Sequence, residues 1–194
     1  MVKNSIIYKV VFMGDSGVGK SSIATRIACN TFTPLSDATI GASFFSKIIE
    51  KETQMYKFNI WDTAGQEKYS CLVPLYYRNC DAAIIVYDIT NRNSFKKIIS
   101  SIKELRQDST VSAIFIIGNK SDLDKERMVT TKEAKDFCDF EDVSFMETSA
   151  KNNINIHEIL EKLIEKLPEP DTKEKATLPS VSPFESNSYL NCCQ

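Results

Sequence analysis

Eight residues, Gly14-Asp15-Ser16-Gly17-Val18-Gly19-Lys20-Ser21, carry the most specific chemistry in this chain. They follow an apolar run at 6–13 and lead into residues 22–27, which have helical spacing. A strand, a glycine-rich turn and a helix start are the context in which a G-x-x-x-x-G-K-[ST] loop cradles phosphate. Glycine there lets the backbone wrap around an anion without a side chain in the way. The backbone N–H groups form a concave nest, and the helix N-terminus behind it adds partial positive charge. In such a loop Lys20 reaches the terminal phosphates and the Ser21 hydroxyl ligates a bridging magnesium ion.

The elements that must position this loop can be read in order. Residues 30–41 are polar and contain Pro34, which makes them a loop. Runs at 43–51 and 54–61 read as strands joined at Glu52-Thr53 in a hairpin, and 69–78 could form a short helix. Ala82 to Tyr87 and Ala113 to Gly118 are continuous apolar runs, as expected of strands buried on both faces of a parallel sheet. Residues 94–106 have helical spacing, with Phe95, Ile98, Ile99, Ile102 and Leu105 on one face. Thr130 and Glu133 form a capping-box signature for a helix running to about Cys138, and 143–146 is a short last strand. Ile156, Ile159, Leu160, Leu163, Ile164 and Leu167 stripe a final helix that Pro168 stops. Strands alternating with helices imply an α/β fold around a mostly parallel sheet, with ligands at the carboxyl ends of the strands. The segments at 14–21, 62–66, 119–122 and 148–151 all fall there. They point to one site.

Composition narrows the function classes. The chain has 194 residues, 42% hydrophobic and 26% charged, which suits one soluble domain plus a tail. A net charge of −2 argues against nucleic acid as the main partner. No apolar run is long enough to span a bilayer, and Lys9 interrupts the N-terminal one, which makes a poor signal peptide. A cytosolic chain is expected, so the cysteines read as free thiols, with Cys29, Cys71, Cys80 and Cys138 expected as small buried residues. The sequon at Asn119-Lys120-Ser121 is then empty.

With Asp62-Thr63-Ala64-Gly65-Gln66, Asn119-Lys120-Ser121-Asp122 and Thr148-Ser149-Ala150-Lys151 added to the phosphate loop, residues 5–168 resemble the Ras superfamily of small GTPases. The resemblance implies a P-loop fold with a six-stranded, mostly parallel sheet flanked by helices. It implies that Ser16, Gly17, Val18, Gly19, Lys20, Ser21 and Ser22 hold the phosphates of GTP or GDP. Magnesium would be held by Ser21, Thr39 and, through a water, Asp62. Asp122 accepts two hydrogen bonds from guanine, a pair adenine lacks, and a mismatched base would leave its carboxylate unpaired. Asn119 and Ser149 belong to the loops around the base, the Lys120 stem covers it, and Phe32 packs on its other side. The Ala150 N–H meets the guanine oxygen, with Lys151 beside it. The Gly65 N–H contacts the γ-phosphate and Gln66 orients the attacking water, so Gln66, Lys20 and Gly65 form the catalytic set. Both loops order with GTP and relax when the γ-phosphate is lost.

Within that superfamily the segments Ile40-Gly41-Ala42-Ser43-Phe44, Lys57-Phe58-Asn59-Ile60-Trp61, Tyr76-Tyr77-Arg78 and Tyr87-Asp88-Ile89-Thr90-Asn91 look like those of Rabs, in particular the early-endosomal branch. Ser43 stands where many Rabs carry an acidic residue, and Ser16 where Ras proteins carry glycine. Phe44, Trp61 and Tyr76 match the aromatic triad that Rabs present to effectors; packing between strands is the plainer reading of the same residues. Residues 1–168 are expected as the GTPase domain. Residues 169–194, with Pro170, Pro179, Pro183 and several serines, are expected as a disordered tail.

The tail ends in Cys192-Cys193-Gln194, which resembles the Rab pattern of double geranylgeranylation; a C-a-a-X box fails because position 191 is Asn191. Two lipids suit a net acidic tail, since one chain anchors only marginally. The expected function is a Rab-type switch of vesicular traffic on the cytoplasmic face of endosomal membranes. Its partners would be an exchange factor, an activating protein, a GDP-dissociation inhibitor and effectors. Hydrolysis would be slow without the activator, because no arginine finger is evident in the chain. The alternatives are a guanine-nucleotide module that does not hydrolyse, or another P-loop enzyme such as a nucleotide kinase.

Overall fold

Two strands form the middle of the sheet: β1 (Ser5–Met13), with no exposed side chain from Tyr8 onward, and β4 (Ala82–Asp88), buried throughout. In a computed structural model that describes residues 5–34, 39–65, 73–108 and 111–168, they belong to a six-stranded sheet. The others are β2 (Ala42–Lys51), β3 (Gln54–Thr63), β5 (Ala113–Asn119) and β6 (Ser144–Glu147), in the order β2-β3-β1-β4-β5-β6. Every pairing is parallel except β2 with β3, where Glu52, at φ 56°, turns the hairpin.

The continuous apolar runs have a direct explanation in the packing, because successive side chains of a strand point to opposite faces. On one face Val10, Phe12, Ile84, Val86, Phe115 and Ile117 pack with Ile23 and Ile27 of α1 (Lys20–Cys29) and Ile159, Leu160 and Leu163 of α6 (His157–Lys166). On the other, Val11, Met13, Ile85, Tyr87 and Ile116 meet three further helices: α3 (Arg92–Lys96), α4 (Ile98–Asp108) and α5 (Thr131–Phe140). Each aliphatic side chain taken out of water there contributes about 1.5–3 kcal/mol. Two filled faces hold the carboxyl ends of five parallel strands along one edge of the sheet.

Several expected boundaries move. The helix expected over 94–106 is two segments meeting at Lys97, whose carbonyl accepts from the Ser100 hydroxyl at 2.7 Å and the Ser101 hydroxyl at 3.3 Å. Such back-bonding by serine competes with the helix ladder and bends it. Ile99 is exposed rather than part of the apolar face, where Ile98, Ile102 and Leu105 are buried. Asn91 caps α3 by accepting from the Asn93 and Ser94 amides, a cap its place before the apolar stripe permits. The Thr130 hydroxyl accepts from the Glu133 amide at 3.1 Å, which is the expected cap of α5. Cys29 is exposed at the end of α1, not buried as expected, because it lies on the solvent side of the last turn; Cys80 and Cys138 are buried. Of the helix expected over 69–78, Val73–Tyr77 (α2) is seen, and Cys71 lies outside the described residues.

Candidate functional site

The carboxyl ends of the parallel strands open onto a cleft of about 510 Å³. Its wall is made by Ser16, Gly17, Gly19, Lys20, Ser21, Ser22, Phe32, Thr39 and Gly65 at one end, and Asn119, Lys120, Asp122, Ala150 and Lys151 at the other. Most of these residues come from separate loops after β1, β3, β5 and β6, brought together by the parallel register, while Phe32 and Thr39 come from the segment between α1 and β2. Pro34 and Leu123 complete the lining, and no motif singled them out. Val18 and Ser149 stand behind the wall: both are buried, and the Ser149 hydroxyl donates to Asp122 Oδ1 at 2.5 Å. Gln66, Cys192 and Cys193 lie outside the described residues.

At the phosphate end, Gly14, Gly17 and Gly19 all take positive φ, between 75° and 132°. A β-carbon at Gly14 would overlap the Val86 carbonyl, and one at Gly19 would overlap Asn119 Nδ2. These two are glycine because backbone and side chain from neighbouring strands press directly on the loop. Inside the loop the Lys20 ammonium donates to the carbonyls of Gly14 at 3.0 Å and Asp15 at 2.8 Å. Burial lowers its pKa to about 8, with the charges of Asp62 and Asp15 working against that shift. Asp15 in turn pairs with Lys97 at 2.7 Å, tying the loop to the junction of α3 and α4.

Next to Lys20 lies a cluster of three oxygen-bearing side chains. The Ser21 and Thr39 hydroxyls are 2.8 Å apart, and Thr39 donates to Asp62 Oδ2 at 3.4 Å. Asp62 is buried and its Oδ1 has no hydrogen-bond partner among the described residues. Burial pushes its carboxyl pKa up, against the pull of Ser21, Lys20 and Thr39. An orphaned buried carboxylate oxygen beside two hydroxyls is an all-oxygen donor set, which suits a hard cation such as magnesium.

At the far end Asn119 is the hub. Its Nδ2 donates to the Val18 carbonyl at 2.9 Å, and its Oδ1 accepts from the Thr148 hydroxyl at 3.2 Å and the Ala150 amide at 3.3 Å. Lys120 follows at φ 68°, and its ammonium sits 2.6 Å from Asp88 Oδ2 at the end of β4. Asp88 was not among the expected site residues, although its place at a strand's carboxyl end is a readable signal. Arg26 was missed as well, and nothing local in the sequence links it to residue 150. It donates to the Ala150, Lys151 and Asn30 carbonyls at 3.0, 3.0 and 2.9 Å.

Beside the cleft, Phe44, Trp61 and Tyr76 form a run of rings, with centroids 5.2 Å apart for the first pair and 5.5 Å for the second. Phe44 is exposed, and Ile40 and Leu75 nearby in sequence are exposed too.

A glycine loop after the first strand of a parallel sheet, with helices on both faces, defines a P-loop nucleotide-binding α/β domain. A model of the Ras family matches residues 9–169. Human Ras-related protein Rab-22A (Homo sapiens) is 46% identical over 173 residues, spanning 89% of this chain and 87% of that protein. The tobacco protein Ras-related protein Rab5 (Nicotiana tabacum) is 37% identical over 193 residues, 98% of this chain and 96% of its own. The chain belongs to the Ras family and to its Rab branch: it is a small GTPase that hydrolyses GTP and acts as a GTP/GDP switch in vesicular membrane traffic.

Proposed function

We propose that the cleft divides the work between its two ends, with Asp122 reading guanine and Lys20 holding the terminal phosphates. The observation that supports this reading most is the convergence of Lys20, Asp122 and Ala150 on a single cleft from three separate stretches of chain. Two donors of a guanine edge would meet the Asp122 carboxylate, and the Ser149 hydroxyl, 2.5 Å from its Oδ1, supports this by orienting it. Lys120 lays its stem along the base while Asp88 holds its ammonium, and Phe32 covers the other face. The loop amides of 16–22 take the phosphates.

Ser21, Thr39 and Asp62 would hold magnesium, consistent with the unpartnered Asp62 Oδ1. The ion, when bound, neutralises charge on the β- and γ-phosphate oxygens. Lys20 and the Gly65 amide stabilise charge on the transferring group, and Gln66 orients the attacking water. Thr39 and Gly65 both border the phosphate end, so loss of the γ-phosphate removes a contact that joins the loops before β2 and after β3.

Residues 1–168 are the catalytic domain in this proposal, and 169–194 a tail lipidated at Cys192 and Cys193. Effectors bind across Phe44, Trp61 and Tyr76, and an exchange factor, an activating protein and a GDP-dissociation inhibitor govern the cycle. The compartment is endosomal, which the resemblance to Rab-22A and Rab5 supports. Among the described residues no helix is long and apolar enough to cross a membrane, which fits attachment through the tail. Single-turnover GTP hydrolysis tests the catalytic assignment. Gln66→Leu is expected to retain GTP binding and lose stimulation by an activating protein; stimulated hydrolysis at the parent rate would remove Gln66 from the mechanism.

A further inference from the structure

Arg26 lies in the last turn of the helix whose first turn carries Lys20 and Ser21, so α1 runs from the phosphate end of the cleft to the base end. All three nitrogens of its guanidinium donate to backbone oxygens. Nε donates to the Ala150 carbonyl at 3.0 Å, one terminal nitrogen to the Lys151 carbonyl at 3.0 Å, and the other to the Asn30 carbonyl at 2.9 Å. The same group stands 5.8 Å from the centre of the Phe32 ring, which lines the cleft. No carboxylate is its ion-pair partner among the described residues, so the charge is spent on orienting peptide groups.

The peptides it orients matter for the base. The Ala150 amide has one protein acceptor, Asn119 Oδ1, at 3.3 Å, the long end of the hydrogen-bond range. Ala150 lines the cleft, and a bond that long leaves room for an acceptor on a bound base to share the same N–H. Asn119 holds the peptide before Ala150, and Arg26 holds the two peptides after it. A planar fork presents its donors in fixed directions from three nitrogens, so it can hold the Ala150, Lys151 and Asn30 carbonyls apart and in register, whereas the donors of an ammonium radiate from one nitrogen. Hydrogen bonds from a charged donor are roughly twice as strong as neutral ones.

We infer that Arg26 is a specificity-determining positioning residue: by pinning the Ala150 and Lys151 carbonyls it aims the Ala150 N–H at the C6 oxygen of guanine. This rests on the guanine reading above and adds to it a residue that never touches the nucleotide. Arg26 thereby couples the helix that starts at the phosphate loop to recognition of the base.

The test compares release of GDP and of 6-thio-GDP from the full-length protein with magnesium present. The thio analogue keeps both donors for Asp122 but replaces the C6 oxygen with a weakly accepting sulfur. The parent protein should release the analogue faster than GDP, on the order of tenfold for one well-made hydrogen bond. In Arg26→Met, GDP release should accelerate on the order of tenfold while release of the analogue changes less than about twofold, so the ratio collapses toward one. Arg26→Lys, which keeps the charge but whose donors radiate from a single nitrogen, should give an intermediate ratio, and decides the matter if the Met variant does not fold. Equal acceleration of both nucleotides, leaving the parent ratio intact, would overturn the inference and make Arg26 a structural brace only. A parent protein that does not distinguish the two nucleotides would refute the guanine contact at Ala150 itself, and the inference with it.

Discussion

Asn119 Nδ2 donates to the Val18 carbonyl at 2.9 Å across 101 positions of chain, and this one bond joins the base end of the cleft to the phosphate loop. The donor and its acceptor are both buried, so neither can turn to water if the other is removed. Asn119→Ala would leave the Val18 carbonyl, the Thr148 hydroxyl and the Ala150 amide short of a partner. Each buried orphan costs about 1–3 kcal/mol. Nucleotide affinity is therefore expected to fall by at least about a hundredfold, and the melting temperature by several degrees. Isothermal titration and thermal unfolding check the two parts separately, and parent-like affinity would mean the loops are held some other way.

Asp88 and Lys120 give a second prediction. The pair is 2.6 Å apart, with Asp88 buried and the Lys120 side chain one-third exposed, so screening reduces it below the value of a fully buried pair. Asp88 also accepts from the Thr90 amide and hydroxyl, bonds that asparagine can retain. Asp88→Asn should thus leave the fold intact and free the Lys120 stem, speeding GDP release about 3–10-fold. Release followed with a fluorescent nucleotide reads this directly, and an unchanged rate would mean that Lys120 does not need its anchor.

The cysteines carry a pH prediction. Burial pushes the Cys80 thiol up to about 11 and the Cys138 thiol to about 12, from an ordinary 9.0. For an acid whose pKa is raised by folding, the neutral form is favoured in the native state. Its stabilising contribution is complete below pH 9 and is lost as the pH rises from there through 11 and 12. Lys20, with its pKa lowered to about 8, works in the opposite direction as the pH rises from 8 toward 10.5. The cysteine effect is therefore read as the difference in melting temperature between the parent and a Cys80→Ala/Cys138→Ala double variant. That difference is expected to be constant from pH 7 to 8.5 and to shrink above pH 9. In the native protein at pH 7.5 a maleimide should modify the exposed Cys29 and spare Cys80 and Cys138 until denaturant is added, as peptide mass mapping would show. Rapid native labelling of Cys138 would contradict the packing of α5 on the sheet.

Much of this architecture is legible in the sequence because its signals are local. The runs at 82–87 and 113–118 are apolar without interruption, as expected of short strands covered on both faces, and the polar residues that end them mark the site. The phosphate loop, Asn119-Lys120-Ser121-Asp122 and Ser149-Ala150-Lys151 are each short enough to read as words. What escaped reading depends on contacts between distant segments. Arg26 looks like an ordinary basic residue near a helix end until the chain brings it to Ala150, 124 positions away. Lys97 and Asp15 meet across 82 positions. The junction at Lys97, whose carbonyl takes two serine hydroxyls as well as the Ser101 amide, is a local departure that periodicity does not register. Cys29 is exposed against expectation because a single small residue at the end of a helix carries no sign of which side faces the core.

The central claim is that this cleft holds a guanine nucleotide together with magnesium. The most direct measurement is the identity of the nucleotide carried through purification, taken by denaturation and chromatography, with its release rate measured before and after adding EDTA. GDP or GTP in near-stoichiometric amount, leaving much faster once the metal is chelated, is the predicted result. An empty protein, an adenine nucleotide, or a release rate indifferent to EDTA would contradict the assignment of Asp122 to the base or of Ser21, Thr39 and Asp62 to the metal.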